Sequence, residues 1–144
     1  MATLKFDAST TNESSRSGRI YKDLNLNFTR HPVTGDITKV TDIDAVKRSV
    51  RNLVLTNHYE RPFRPEIGSN IRATLFEPMT PFTANLLTRQ IKDVIENFEP
   101  RVELVTIKAD PNLDRNAYDV AITFNVVNAE TDLIELDLLL ERIR

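Results

Sequence analysis

Three stretches of the chain alternate apolar and polar residues, and two others repeat their apolar residues at helical spacing. Leu24, Leu26 and Phe28 alternate with Asn25 and Asn27, which predicts a half-buried strand. His31-Pro32-Val33-Thr34-Gly35-Asp36 reads as a turn, with proline fixing φ and glycine tolerating positive φ, and Ile37–Val40 as a short returning strand. Thr41 followed by Asp42 and Asp44 predicts a helix start, a capping hydroxyl with carboxylates in the first turn. Ile43, Val46, Val50, Leu53 and Val54 then form one apolar stripe, and the helix should end near Asn57 because prolines follow at 62 and 65. Residues 57–68 (NHYERPFRPEIG) form an irregular loop in which His58 is expected to cap the helix or pack, and 70–76 form one or two helical turns. Thr80-Pro81 opens a second long helix, whose buried face should carry Phe82, Leu86, Leu87, Ile91, Val94, Ile95 and Phe98. Pro100 ends it at Glu99, since the residue before proline is driven out of the α region.

The remainder reads as β. Val102, Leu104 and Thr106 alternate with Glu103, Val105 and Ile107, leaving both faces partly apolar. Asp110–Asn116 is a turn cluster, and Tyr118, Val120, Ile122, Phe124 and Val126 alternate cleanly with polar or small residues. Ile134, Leu136, Leu138 and Leu140 fit period 2 better than period 3.6, while Leu138-Leu139-Leu140 suggests a strand covered on each side. The expected fold class is α+β: two main helices on one face of a mainly antiparallel sheet. Residues 8–18 (ASTTNESSRSG) are small and polar, so 1–18 is expected to be a flexible arm and 19–144 a single domain.

Composition narrows the chemistry. At 144 residues the chain suits one domain able to bury about two-thirds of its unfolded surface. It has no cysteine, which removes thiolate zinc sites, disulfides and cysteine nucleophiles, and only two histidines, neither beside a nucleophile-elbow signature. No apolar run approaches the roughly 20 residues of a bilayer span, and the start lacks a signal-peptide core. The near balance of 19 basic and 21 acidic residues argues against a nucleic-acid binder. Glu60, Glu66 and Glu77 are the candidates for a glycosidase-type carboxylate pair, but each adjoins arginine or proline, and a neighbouring arginine lowers a carboxylate pKa. Asp110-x-Asn112-x-Asp114-x-Asn116 opens like a calcium loop, yet Arg115 replaces the invariant glycine and Ala121 the twelfth-position glutamate. No cofactor or metal site is expected.

Charge is unevenly spread. Lys47, Arg48, Arg51, Arg61, Arg64 and Arg72 face only Glu60 and Glu66 between Ala45 and Arg72, whereas Glu130, Asp132, Glu135, Asp137 and Glu141 dominate the end. Two solvated faces or two complementary docking surfaces both fit. Two clusters combine proline with Glu and Arg: Glu60-Arg61-Pro62-Phe63-Arg64-Pro65-Glu66-Ile67-Gly68, and Phe98-Glu99-Pro100-Arg101 at a helix-to-strand junction. Either could be an intramolecular brace at the helix exit or a rigid docking element.

Four ordered segments, Asn52-Leu53-Val54-Leu55-Thr56, Arg61-Pro62-Phe63-x-Pro65-Glu66-Ile67-Gly68, Leu75-Phe76-Glu77-x-Met79-Thr80-Pro81 and Asn97-Phe98-Glu99-Pro100-Arg101, carry a family resemblance. From about Tyr21 to Arg144 the chain resembles the baseplate wedge, or sheath-initiator, proteins of contractile-tailed bacteriophages. That family is also labelled lysozyme-like and has a counterpart in type VI secretion. The resemblance implies a structural, non-catalytic virion protein, made in the host cytoplasm and built, in about six copies, into the tail baseplate. It implies that Glu99-Pro100-Arg101 contacts the core bundle of other wedge proteins, with Arg61, Pro62, Phe63, Glu66 and Gly68 as a loop motif. It further implies that the strand holding Leu136, Leu138, Leu139 and Leu140 faces the tail sheath protein, with tail tube or hub proteins as further neighbours. Nucleic acid and membrane are not among the implied partners. A peptidoglycan-degrading enzyme using Glu60 or Glu66 is the alternative.

Overall fold

The computed structural model describes residues 21–127 and 133–142. The expected arm at 1–18, and Glu130, Asp132 and Arg144 of the acidic end, lie outside the described residues. The chain opens with a short antiparallel pair, β1 (Lys22–Leu24) and β2 (Lys39–Thr41). Three helices follow, α1 (Asp42–Leu55), α2 (Ile71–Thr74) and α3 (Pro81–Phe98). A three-stranded antiparallel sheet, β3 (Val102–Asn112), β4 (Ala117–Val126) and β5 (Ile134–Glu141), completes the fold in the order β3-β4-β5. Helices on one face of an antiparallel sheet make this an α+β fold, the class the periodicity predicts.

The core lies between the helices and one sheet face. Val46, Val50 and Val54 of α1 and Leu87, Ile91 and Ile95 of α3 meet Tyr118, Val120, Ile122 and Phe124 of β4 and Leu138 and Leu140 of β5. Burying such side chains stabilises by about 1.5–3 kcal/mol each, which is what holds the layers together. A β-bulge explains why β3 looked apolar on both faces. The register shifts between Leu104 and Thr106, so Leu104 lies opposite Phe124 while Ile107 lies opposite Ile122. The extra residue lets Val102, Leu104, Ile107 and Ala109 share the core face and turns Val105 outward.

Several local expectations change. The alternation at Leu24–Phe28 is not a strand beyond Leu24. Asn25 instead nucleates a turn, its Oδ1 accepting from the Asn27 N–H at 3.1 Å and its carbonyl from the Phe28 N–H at 3.0 Å. Leu26 and Phe28 are consequently exposed. The return strand starts later than Ile37, which makes only an isolated bridge to Arg30. Thr41 occupies the N-cap position of α1 but its hydroxyl makes no capping bond, because the residue is also the last of β2, paired with Lys22. His58 does not cap the helix; Thr56 does, donating from Oγ1 to the Asn52 carbonyl at 2.7 Å. Thr80 caps α3 as its sequence indicates, accepting from the Thr83 N–H at 3.2 Å. Phe82, expected in the α3 stripe, is exposed, since at about 100° per residue it lies roughly 140° from Leu87 around the helix. Strand β3 runs through Asp110 and Pro111, so the turn shrinks to the residues around Leu113–Asn116, with Asn112 Oδ1 accepting from the Arg115 N–H at 3.3 Å.

The loop after α1 is anchored rather than loose. Ile67 packs with Leu53, Val94 and Phe98 in a second small core. Ser69 donates from Oγ to the Val54 carbonyl at 2.7 Å and from its N–H to the Thr56 carbonyl at 2.7 Å. Gly68 permits this close pass. Its φ is +142°, and a Cβ there would lie 2.6 Å from the Asn57 carbonyl carbon and oxygen. Replacing Gly68 with Ala should therefore destabilise the domain by about 2–4 kcal/mol through combined strain and clash. A melting temperature within a degree or two of the parent, measured by circular dichroism, would contradict this account of the loop.

Candidate interaction site

The exit of α3 is a β-turn. The Val102 N–H donates to the Glu99 carbonyl at 3.2 Å, which places Pro100 at the second turn position, where its fixed φ is favoured. The turn brings Glu99 and Arg101 side by side. Arg101 donates from Nε to Glu99 Oε1 at 2.6 Å and from Nη2 to Oε2 at 2.9 Å, a bidentate pair. Ser49 of α1 donates a further hydrogen bond to Glu99 Oε2. Arg101 Nη1 reaches Asp23 of β1 at 3.3 Å, and its guanidinium sits 5.5 Å from the centre of the Tyr21 ring. Tyr21 in turn donates its hydroxyl to the Val127 carbonyl at 2.8 Å. Glu99 is only 4% exposed. Burial pushes its carboxyl up, but the hydrogen bonds from Arg101 and Ser49 and the arginine's charge outweigh this and hold it below its ordinary value of 4.5. Desolvation opposes the charge of Arg101, yet the bond to Glu99 dominates and raises its pKa.

Of the two readings of Glu99-Pro100-Arg101, the intramolecular brace is thus formed, and Arg101 and Pro100 keep an outward side on which a partner could rest. The other motif residues are scattered in role. Phe63 is fully exposed in a left-handed conformation with φ +71°, and Arg61, Pro62 and Glu66 are also exposed. Gly68 is buried as a structural hinge. Leu138 and Leu140 point into the domain's own core and Leu136 packs against it, while Leu139 faces outward at 40% exposure. The strand is therefore covered by the core on one face, not two. What β5 offers is its main chain, because one of its edges carries no paired strand among the described residues.

The candidate carboxylates do not gather into one site. Glu60 Oε2 accepts from the Asn57 N–H at 2.8 Å and closes the turn after α1. Glu66 and Glu77 are exposed, and no side-chain partner of either is found among the described residues. His31 is a turn residue, its Nδ1 accepting from the N–H groups of Val33 and Thr34 at 3.3 Å. Among the described residues no group of three or more His, Cys, Asp or Glu could hold a metal ion.

What sequence reading missed is a groove beside the corner. It measures about 930 Å³ and lies between α1, the loop after it, the β1 turn and the end of α3, with Arg48, Arg51, Arg61 and Arg64 on its walls. The basic bias of residues 45–72 was its visible signal; the meeting of helix and loop arginines on one surface was not.

The geometry is thus a braced helix exit and a sheet edge that carries no paired strand among the described residues. The profile of the baseplate wedge protein gp25 family matches residues 40–130. The chain is 31% identical over 103 residues to baseplate wedge protein gp25 of Enterobacteria phage T4, covering 72% of this chain and 78% of that protein. The chain belongs to the baseplate wedge protein gp25 family and is a structural subunit of a contractile-tail baseplate. Its fold is shared by a chain in the six-fold symmetrised baseplate of the anti-feeding prophage, with TM-score 0.59, 20% identity and coverage of 86% of this chain and 87% of that one. It is shared also by a protein of Geobacter sulfurreducens named as a candidate tail lysozyme, with TM-score 0.58, 24% identity and coverage of 67% of this chain and 88% of that one.

The brace yields a pH dependence with a defined sign. A carboxyl whose folded pKa is depressed contributes stability that is fully present above its unfolded value and is lost as pH falls through the folded one. Glu99→Gln should therefore cost about 2 kcal/mol at neutral pH, with the two unfolding free energies converging as the pH drops below 4.5. Urea titrations at a series of pH values measure the difference; a constant offset down to the acid limit would rule out a charged Glu99 as the source.

Proposed function

We propose that this subunit joins the baseplate through its Glu99-Pro100-Arg101 corner and presents β5 as the template on which the first ring of tail sheath forms. The observation that carries this reading is the free edge of β5. A strand exposed along one edge offers a row of unpaired N–H and C=O groups, the natural substrate of strand addition and a hazard in a part never meant to be covered. Glu135, Asp137 and Glu141 line the outward face of that strand, so an incoming strand with basic residues on that face would fit it. The corner supports the docking half. Its proline fixes the turn and its arginine is already oriented, so little entropy is lost when a partner settles on it. The partners of this reading are other wedge proteins, the sheath protein, and tube or hub proteins, with six copies per baseplate as the family resemblance implies.

The test uses two exposed positions. Asp137→Lys combined with Leu139→Lys leaves the core residues of β5 untouched and should keep the melting temperature within about 2 °C, since exposed substitutions usually change stability little. Baseplates carrying this variant should assemble but fail to nucleate sheath, scored by electron microscopy of assembled tails. Sheath of normal length on the variant would sink the template reading.

The subunit is also read as non-catalytic. A glycosidase needs two carboxylates facing one bound sugar, one of them with a raised pKa. Here Glu60 is engaged by backbone in a turn and Glu66 stands exposed. Purified protein added to peptidoglycan should leave turbidity unchanged. Clearing that Glu66→Gln abolishes would establish the lytic alternative instead.

A further inference from the structure

The groove beside the corner has an excess of positive charge that the domain itself does not use. Arg48 donates to Asn25 Oδ1, a neutral acceptor. Arg51, Arg61 and Arg64 have no carboxylate partner among the described residues. The carboxylates that do border the groove, Asp23 and Glu99, are both taken by Arg101. The remaining wall mixes polar residues, Asn27, Asn52 and Asn97 among them, with the apolar Leu24, Leu26 and Phe98, and the two leucines are about 60% exposed. These arginines are not free to drift apart. Two stand on α1, and two lie on a loop fastened by Ile67, Gly68 and Ser69.

We propose that this groove receives an acidic amphipathic segment of another protein, its carboxylates paired with Arg51, Arg61 and Arg64 and its apolar side chains on Leu24, Leu26 and Phe98. Charge complementarity selects the sign, because unpaired guanidinium groups favour bidentate carboxylates. The exposed leucines among the arginines select the class. A nucleic acid would need a continuous basic track, whereas here leucines and two neutralised carboxylates interrupt it. The inference goes beyond the proposed function, since it requires neither Arg101 to touch a partner nor β5 to gain a strand.

Fluorescence anisotropy with the full chain tests it. The probe is a labelled amphipathic helical peptide with leucine on one face and glutamate on the other; its glutamine counterpart and a duplex DNA oligonucleotide are the controls. The glutamate peptide should bind at least about tenfold more tightly than the glutamine peptide and weaken as salt is raised, as screened charge pairs do. Arg61→Glu with Arg64→Glu should abolish that preference with an unchanged melting temperature, and Arg61→Lys with Arg64→Lys should retain most of it. Equal binding of the two peptides, no binding of either, or DNA binding as tight as the glutamate peptide would overturn the proposal. So would concentration-dependent self-association in sedimentation that the same charge reversal removes, since the occupant would then be the acidic face of a second copy.

Discussion

The bidentate pair between Glu99 and Arg101 is the contact on which the arrangement of the elements depends. A carboxylate that is almost fully buried would be costly unless every oxygen found a donor, and here the donors come from different parts of the chain. Arg101 supplies two from the turn just before β3 and Ser49 one from α1. Arg101 then reaches Asp23 in β1 and stacks near Tyr21, whose hydroxyl holds the chain just past β4. The hairpin, the first helix, the end of the last helix and the sheet thus share one polar node. An apolar cluster of similar volume could bury as much surface, but it would not fix the direction in which the chain leaves α3. The charge pair, with its planar geometry, does.

That node also explains how the docking role proposed for the motif is compatible with its structural one. A docking element is useful only if it keeps its shape when unoccupied. Pro100 restricts the turn, Glu99 is sealed beneath it, and the guanidinium is held at the boundary between core and solvent with its pKa raised. The docking surface proposed here is therefore the outer layer of the same contacts that stabilise the fold.

The α+β class, both long helices and strands β4 and β5 were legible because their apolar residues keep their period, and β3 was legible as a strand though its phase was not. Thr80-Pro81 marked one helix start and Pro100 its end for reasons local to those residues. The failures share a cause. Leu24, Leu26 and Phe28 alternate like a strand, but Asn25 satisfies the backbone with its own side chain, and side-chain competition of that kind leaves no trace in periodicity. The apparent two-faced strand at Val102–Ile107 hid a bulge, which changes phase by one residue and appears only when the partner strand is known. Leu138-Leu139-Leu140 suggested a strand covered twice, whereas one face meets the core and Leu139 looks outward. For the site, Glu99 and Arg101 were readable as a pair from their spacing. Ser49 and Asp23 were not, because they lie 50 and 78 residues away in sequence and carry no local signature.

The two charged regions resolve into surfaces of opposite sign with different physical duties. Along β5 the outward positions Glu135, Asp137 and Glu141 are acidic. If the free edges of two copies paired antiparallel, these carboxylates would face one another across the new ladder, and like charges directly opposed are destabilising. The edge thus discourages its own kind while leaving its backbone groups available, which is how a sheet protein keeps an open strand without aggregating. A strand that adds there must bring compensating positive charge or place its neutral residues opposite the carboxylates. The basic groove works in the other sense. Its arginines already repel one another across a short span, and no acid of the described domain relieves them. The anionic partner proposed for this groove would lower that repulsion as it binds, as would added salt to a lesser degree.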